Sequence, residues 1–160
     1  MSTLKKINVV RRALMQGLTK NIGNTNSTKN IKLTDKTDIK KVLISRPNQR
    51  LGNLLLITPL IQEVTNTFPG CKIDLFVKGT LAPIVFENYE NINNVVELPK
   101  KPFKETLNYI KVWIKLKKQH YDIAINVDKN SSSGRLSVQF ANATYKFYGE
   151  ASEDIESKYK

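Results

Sequence analysis

The chain has little of what usually carries chemistry. It holds one cysteine, one histidine and one tryptophan in 160 residues. A single thiol, Cys71, excludes an intramolecular disulfide, and with no histidine or second thiol beside it the expectation is a structural cysteine in a reducing compartment. His120 has no carboxylate or thiol at ligand spacing and is expected on the surface, so no metal site is predicted. No apolar run approaches the ~20 residues needed to cross a bilayer, and the N-terminus lacks the compact apolar block of a signal peptide. Acids are scarce too: 14 against 26 lysines and arginines, a net charge of +12. That excess favours polyanionic partners such as phosphorylated substrates, anionic headgroups or nucleic acid. Nucleic acid rests on charge alone, because no recognition signature accompanies it, and none is expected as a partner.

The charge is uneven. Residues 1–41 hold ten cations against two acids, a net +8, which leaves +4 for the rest. Within 1–22, Leu4, Ile7, Val10, Leu14 and Leu18 recur at steps of three and four, predicting a basic amphipathic helix. Such a helix suits an anionic membrane surface, or packs on its own domain with a solvated basic face. Residues 23–39 are polar and read as a linker, and 151–160 as a polar tail.

Between these, 40–150 alternate short apolar runs with helical spacing. Strands are predicted at 41–45, 72–77, 95–98, 122–127 and 145–148. Helices are predicted from Asn53 to Phe68, 81–89, about 103–118 and 135–142. In the first, Pro59 either opens a helix capped by Thr58 or kinks a continuous one. In the third, Phe103, Leu107, Ile110 and Ile114 form the stripe expected to cover a sheet, with Lys104, Lys111, Lys115 and Lys118 on the other side and Trp113 in partial core packing. This alternation implies an α/β fold, a Rossmann-like, doubly wound parallel sheet.

In such sheets ligands bind beyond the carboxyl ends of the strands. The candidate loops are 46–53, 78–80, 99–102 and 128–134. RPNQRLGN lacks the three glycines of a dinucleotide fingerprint, and no P-loop is present. Gly52 is expected to allow tight entry into the helix at Asn53, where the helix N-terminus with Arg46 and Arg50 favours an anion. Lys78 is a further candidate for facing that anion.

The segment KVLISRPNQRLGNLLLITPLIQEVTNTFPGCKIDLFVKG, with YDIAINVD later, resembles the start of family 9 glycosyltransferases, which include the heptosyltransferases of lipopolysaccharide core synthesis. Arg46, Gly52, Thr58, Pro59, Leu60, Phe68 and Pro69 follow in the family's order, and the resemblance spans about 40–149. It implies a GT-B architecture, two Rossmann-like domains facing across a cleft, of which this chain supplies only the acceptor-side half. The reaction implied is inverting transfer of a sugar from a nucleotide-sugar to a lipopolysaccharide-core or related glycolipid. No cofactor is implied; the ADP-heptose-like donor is expected to need a second, C-terminal domain missing here. The acceptor-binding set implied is Arg46, Asn48, Gln49, Arg50, Gly52, Thr58, Lys78, Lys129 and Asn130. The family's Gly-Asp pair reads Gly52-Asn53 here. Because an amide cannot accept a proton, Asn53 stands as a helix cap or an orienting group at the position of the family's base, with Asp128 as a substitute base or a loop-organising carboxylate. The implied setting is the cytoplasm, peripheral to the inner membrane. The alternative is a non-catalytic glycan- or lipid-surface-binding module on a degenerate transferase fold.

Overall fold

The β-branched runs form five strands: β1 (Lys41–Arg46), β2 (Lys72–Lys78), β3 (Ile92–Leu98), β4 (His120–Asn126) and β5 (Asn142–Phe147). The structure, a computed structural model, describes residues 35–100 and 104–149 together with Ala13, Gly17 and Thr19. The sheet is parallel throughout, in the order β3-β2-β1-β4-β5. The predicted helix over 1–22 and the tail over 151–160 lie outside the described residues except at those three positions, as does most of the predicted linker.

Strand geometry sends alternate side chains to opposite faces, and β1 is apolar on both. Val42 and Ile44 join Ile73, Leu75, Val77 and Ile123 beneath helices α1 (Leu51–Leu55), α2 (Thr58–Thr67) and α3 (Ala82–Phe86). Leu43, Phe76 and Ala124 face the other way, under α4 (Thr106–Lys118) and α5 (Ser132–Phe140). Each fully buried aliphatic or aromatic side chain contributes roughly 1.5–3 kcal/mol, so the central strand anchors both layers.

Asp74 alternates onto the second face and is 1% exposed. A buried carboxylate is tolerated only with partners. Tyr121 donates to its Oδ2 at 3.0 Å, Asn93 and Asn94 donate to Oδ1 at 3.1 and 3.2 Å, and Lys41 Nζ lies 3.3 Å from Oδ2. Nearby, Asp122 Oδ2 accepts the backbone N–H groups of Lys40 and Lys41 at 2.7 and 2.8 Å. Both clusters gather toward the strand starts, away from the ligand edge.

Two expectations are corrected here. The helix of 53–68 is neither continuous nor capped by Thr58: α1 ends at Leu55, and α2 starts with Thr58 after an Ile57 cap that offers no side-chain bond. Pro59 has no N–H to give the Leu55 carbonyl, so the helical ladder fails there. The Thr58 hydroxyl takes that carbonyl instead, at 2.9 Å.

The second correction concerns α4. Tyr109, Val112, Trp113 and Leu116 pack inward, Trp113 against Phe76 and Phe140. Leu107, Ile110 and Ile114 are 74%, 54% and 49% exposed. The helix carries two apolar stripes on opposite sides, and the aromatic one fills the space over the sheet because it brings more volume and area. Trp113 thus packs partly buried against the core, as expected, whereas the aliphatic stripe does not. Phe103 lies outside the described residues. His120 opens β4 as an exposed residue, and Cys71 is buried.

Candidate functional site at the carboxyl edge of the sheet

The chain leaves β1 toward β2 and β3, then returns to place β4 on the other flank of β1. The carboxyl ends of β1 and β4 therefore lie side by side where the strand order reverses, the usual place for a crevice. Arg46 ends β1, and Asn126 ends β4.

Asn126 is 1% exposed and organises the loops. Its Nδ2 donates to the carbonyls of Asp128 and Tyr148 at 2.8 and 2.9 Å. Its side chain also lies so close to Gly134 that a Cβ there would run into Oδ1. Gly149, with φ of 80°, likewise lies against the Asn126 carbonyl. Sequence reasoning missed Asn126, whose signal was an amide closing an apolar strand ahead of an Asn/Ser-rich loop.

Asp128 is held at both oxygens. Oδ2 lies 2.5 Å from Arg46 Nη1, and Oδ1 accepts the Asn130 N–H at 3.0 Å. The guanidinium and carboxylate side chains are only 15% and 32% exposed, so the pair is partly desolvated. The Arg46 Nε is buried without a partner. Beside this pair, Lys129 and Asn130 are exposed on the loop, and the Lys129 carbonyl accepts from Arg135 Nε at 2.8 Å. Ser131 caps α5, its hydroxyl accepting the Gly134 N–H at 3.1 Å. Arg135 Nη1 also donates to the Thr19 carbonyl at 3.2 Å, and Thr19 is 3% exposed. Thr19 therefore packs on the domain beside the loop after β4.

The loop after β1 is braced by Asn48, whose Oδ1 accepts the Arg50 N–H at 2.9 Å. Gln49 and Arg50 are exposed. The cap position of α1 is Arg50, and Asn53 sits third in that helix, so the capping role expected of Asn53 does not hold. The Asn53 side chain makes no hydrogen bond among the described residues. Gly52 takes an ordinary helical conformation, and a Cβ there would meet nothing within 4 Å. The glycine is therefore not needed for the turn; what it leaves is open space beside Asn53. Thr58 turns its hydroxyl into the break between α1 and α2, not toward the loops after β4.

Lys78 ends β2 half-buried. Gly79 follows with φ of 84°, the left-handed region that favours glycine; a Cβ there would lie 2.6 Å from Lys100 Cε and 3.5 Å from Gln49 Cβ. The loops after β1, β2 and β3 thus converge on Gly79. Alongside opens a cavity of about 430 Å³ whose lining includes Glu97, Lys100, Glu105, Asn108 and Lys111. One Glu97 carboxylate oxygen is buried without a partner. This cavity was missed in the sequence, where Glu97 reads as a polar residue in an apolar strand. Among the described residues no three His, Cys, Asp or Glu side chains gather as for a metal ion.

The fold and edge define a Rossmann-like α/β domain whose switch point is bridged by Arg46 and Asp128 and whose edge cavity opens beside the ends of β2 and β3. No protein-family model matches the chain. It is 32% identical over 79 residues to lipopolysaccharide heptosyltransferase 3 of Escherichia coli K12, a match covering 48% of this chain and 23% of that protein. Its fold is similar to E. coli heptosyltransferase WaaC with ADP, with a TM-score of 0.59 at 18% identity, covering 74% of this chain and 39% of that one. It is also similar to the family 9 glycosyl transferase from Veillonella parvula, with a TM-score of 0.52 at 19% identity, covering 68% and 31%. The chain spans less than half the length of each. Over these stretches the chain is similar in sequence to part of a heptosyltransferase, and it shares the Rossmann-like fold of part of these structures.

Proposed function

We propose that this chain supplies the acceptor-binding half of a heptosyltransferase-like glycosyltransferase that acts on a lipopolysaccharide-core or related glycolipid. The observation that carries the reading is the agreement of two independent similarities, sequence over 79 residues and fold over most of the chain, on heptosyltransferases. The donor is a nucleotide-sugar such as ADP-heptose, held by a second domain facing the carboxyl edge. An acceptor hydroxyl attacks the anomeric carbon, the bond from that carbon to the nucleoside diphosphate breaks, and the hydroxyl proton leaves to a base. Anomeric configuration inverts in that single displacement.

Arg50, Lys78 and Lys129 around the edge suit the phosphates or carboxylates of such an acceptor, with Asn48, Gln49 and Asn130 as hydroxyl partners. Gly52 leaves room for the acceptor beside Asn53, which orients the attacking hydroxyl but takes no proton. Asp128 is the one carboxylate of the candidate set, and it is engaged by Arg46. A positioned base contributes roughly 10²- to 10⁴-fold, so the Asn53 substitution favours a second reading: a glycan- or lipid-binding module without turnover.

No helix among the described residues is long and apolar enough to cross a membrane, and the proposed setting is the cytoplasmic face of the inner membrane. The test is to incubate the folded chain with nucleotide-sugars and lipid acceptors, alone and with a separately produced donor-binding domain. Transfer in the combined sample supports the transferase reading. Acceptor binding without transfer in either sample supports the binding module, and neither binding nor transfer overturns both.

A further inference from the structure

The aliphatic stripe of α4 faces away from the core it was expected to cover. Leu107, Ile110 and Ile114 share one side of the helix by their spacing of three and four. On the opposite side Tyr109, Val112, Trp113 and Leu116 already satisfy the sheet. Lys104, Lys111, Lys115 and Lys118 edge the exposed stripe, with Lys117 on its other flank. The helix Thr106–Lys118 contains no acid, and none of these five lysines is in an ion pair among the described residues. A shallow hollow bounded by Lys111, Ile114, Lys115, Lys118 and Gln119 opens on the same face.

We propose that this outward face of α4 seats the chain on an anionic lipid bilayer. An apolar stripe bordered by cations lies in the headgroup boundary, its aliphatic side chains among the upper acyl carbons and its ammonium groups at the phosphates. Charge decides among occupants: residues 1–41 of the same chain carry a net +8 and would be repelled by this face. A second copy would set lysines against lysines. A negatively charged surface complements both the face and the overall +12. Lys111 belongs to this face and also lines the cavity with Glu97 and Asn108, so docking brings headgroups to the cavity mouth. The inference deepens the proposed membrane setting by naming the face that meets the lipid, and it rests on that setting but not on turnover.

The experiment is sedimentation of the full chain with vesicles of phosphatidylcholine, or of phosphatidylcholine with one-quarter phosphatidylglycerol. Binding is expected to the anionic vesicles only. The variant Leu107→Gln/Ile110→Gln/Ile114→Gln and the variant Lys111→Gln/Lys115→Gln/Lys118→Gln are each expected to bind about tenfold more weakly or worse. All six positions are exposed, so thermal unfolding should stay near that of the parent. An environment-sensitive dye on Ile110→Cys supplies a second readout, with Cys71 buried; it should shift to the blue with anionic vesicles. Equal binding by both variants without a dye shift places any attachment elsewhere, on the basic N-terminal region, and overturns the proposal. So does a parent that ignores vesicles, or one that dimerises through this stripe and is made monomeric by the glutamine substitutions.

Discussion

Arg46 and Asp128, 82 residues apart in the chain, close on each other across the switch point of the sheet, Nη1 to Oδ2 at 2.5 Å. Arg46, expected from its place at the loop after β1 to face an anion, is therefore already matched by an internal carboxylate. Under the proposed function, an acceptor phosphate would have to share it or displace Asp128.

Asp128→Asn keeps the shape of the loop and removes the competing charge. It should strengthen binding of a phosphorylated sugar several-fold, as measured by calorimetry. In a double-mutant cycle, Arg46→Ala and Asp128→Ala should show a coupling of about 0.5–3 kcal/mol in unfolding free energy. Zero coupling would mean that the pair contributes nothing in solution.

Gly52→Ala separates stability from binding. The glycine is helical with open space at its Cβ position, so alanine should stabilise the fold by about 0.5–1 kcal/mol. Because that space is the one proposed for the acceptor, the same change should weaken acceptor binding. Unchanged acceptor affinity would remove Gly52 from the site.

Gly134→Ala should behave in the opposite way. Its Cβ would collide with the buried Asn126 side chain, which holds the loops after β4 and β5 together. Overpacking of this kind costs about 1–3 kcal/mol, visible as a lower urea midpoint.

Asn53→Asp restores the carboxylate of the family's Gly-Asp pair. With a donor-binding domain present, transfer should rise at least about tenfold, toward the 10²- to 10⁴-fold that a positioned base contributes. A flat response in single-turnover assays would exclude this position as the site of proton removal.

Alkaline pH should destabilise the fold through Tyr121. Burial first, then the charge of Asp74 and the hydrogen bond to it, push this phenol well above its ordinary value of 10.0. The folded state therefore keeps a proton that the unfolded state releases, and stability is full below pH 10 and falls as pH rises beyond it. Cys71 and Tyr148, both raised by burial, act in the same direction. Lys146, lowered by burial, acts in the opposite one. Tyr121→Phe should flatten the alkaline loss seen in urea titrations, while costing about 1–3 kcal/mol near neutrality because Asp74 loses a buried donor.

Much of the framework was legible from local pattern. The runs KVLIS, KIDLFV and DIAINV alternate with helical spacing, and each became a parallel strand within two residues of its expected ends. The loop RPNQRLG fell at a carboxyl edge for the same reason. Less legible was α4, where Leu107, Ile110 and Ile114 compete with Tyr109, Val112, Trp113 and Leu116 for the same sheet. Both stripes have helical period, and only the volume over Phe76 chooses between them. Asn53 was misread as a cap because the start of α1 depends on where β1 releases the chain.

The amino-acid sequence alone determined the succession of strands and helices, the excess of positive charge and the Gly52-Asn53 pair, because these depend on residue identity and short-range backbone geometry. Tertiary structure alone decided that Arg46 meets Asp128, that Asn126 gathers the loops, that Glu97 faces a cavity and that the aliphatic side of α4 is left exposed. Each of these joins residues from different elements, and a partner across the sheet is chosen by how the whole core packs.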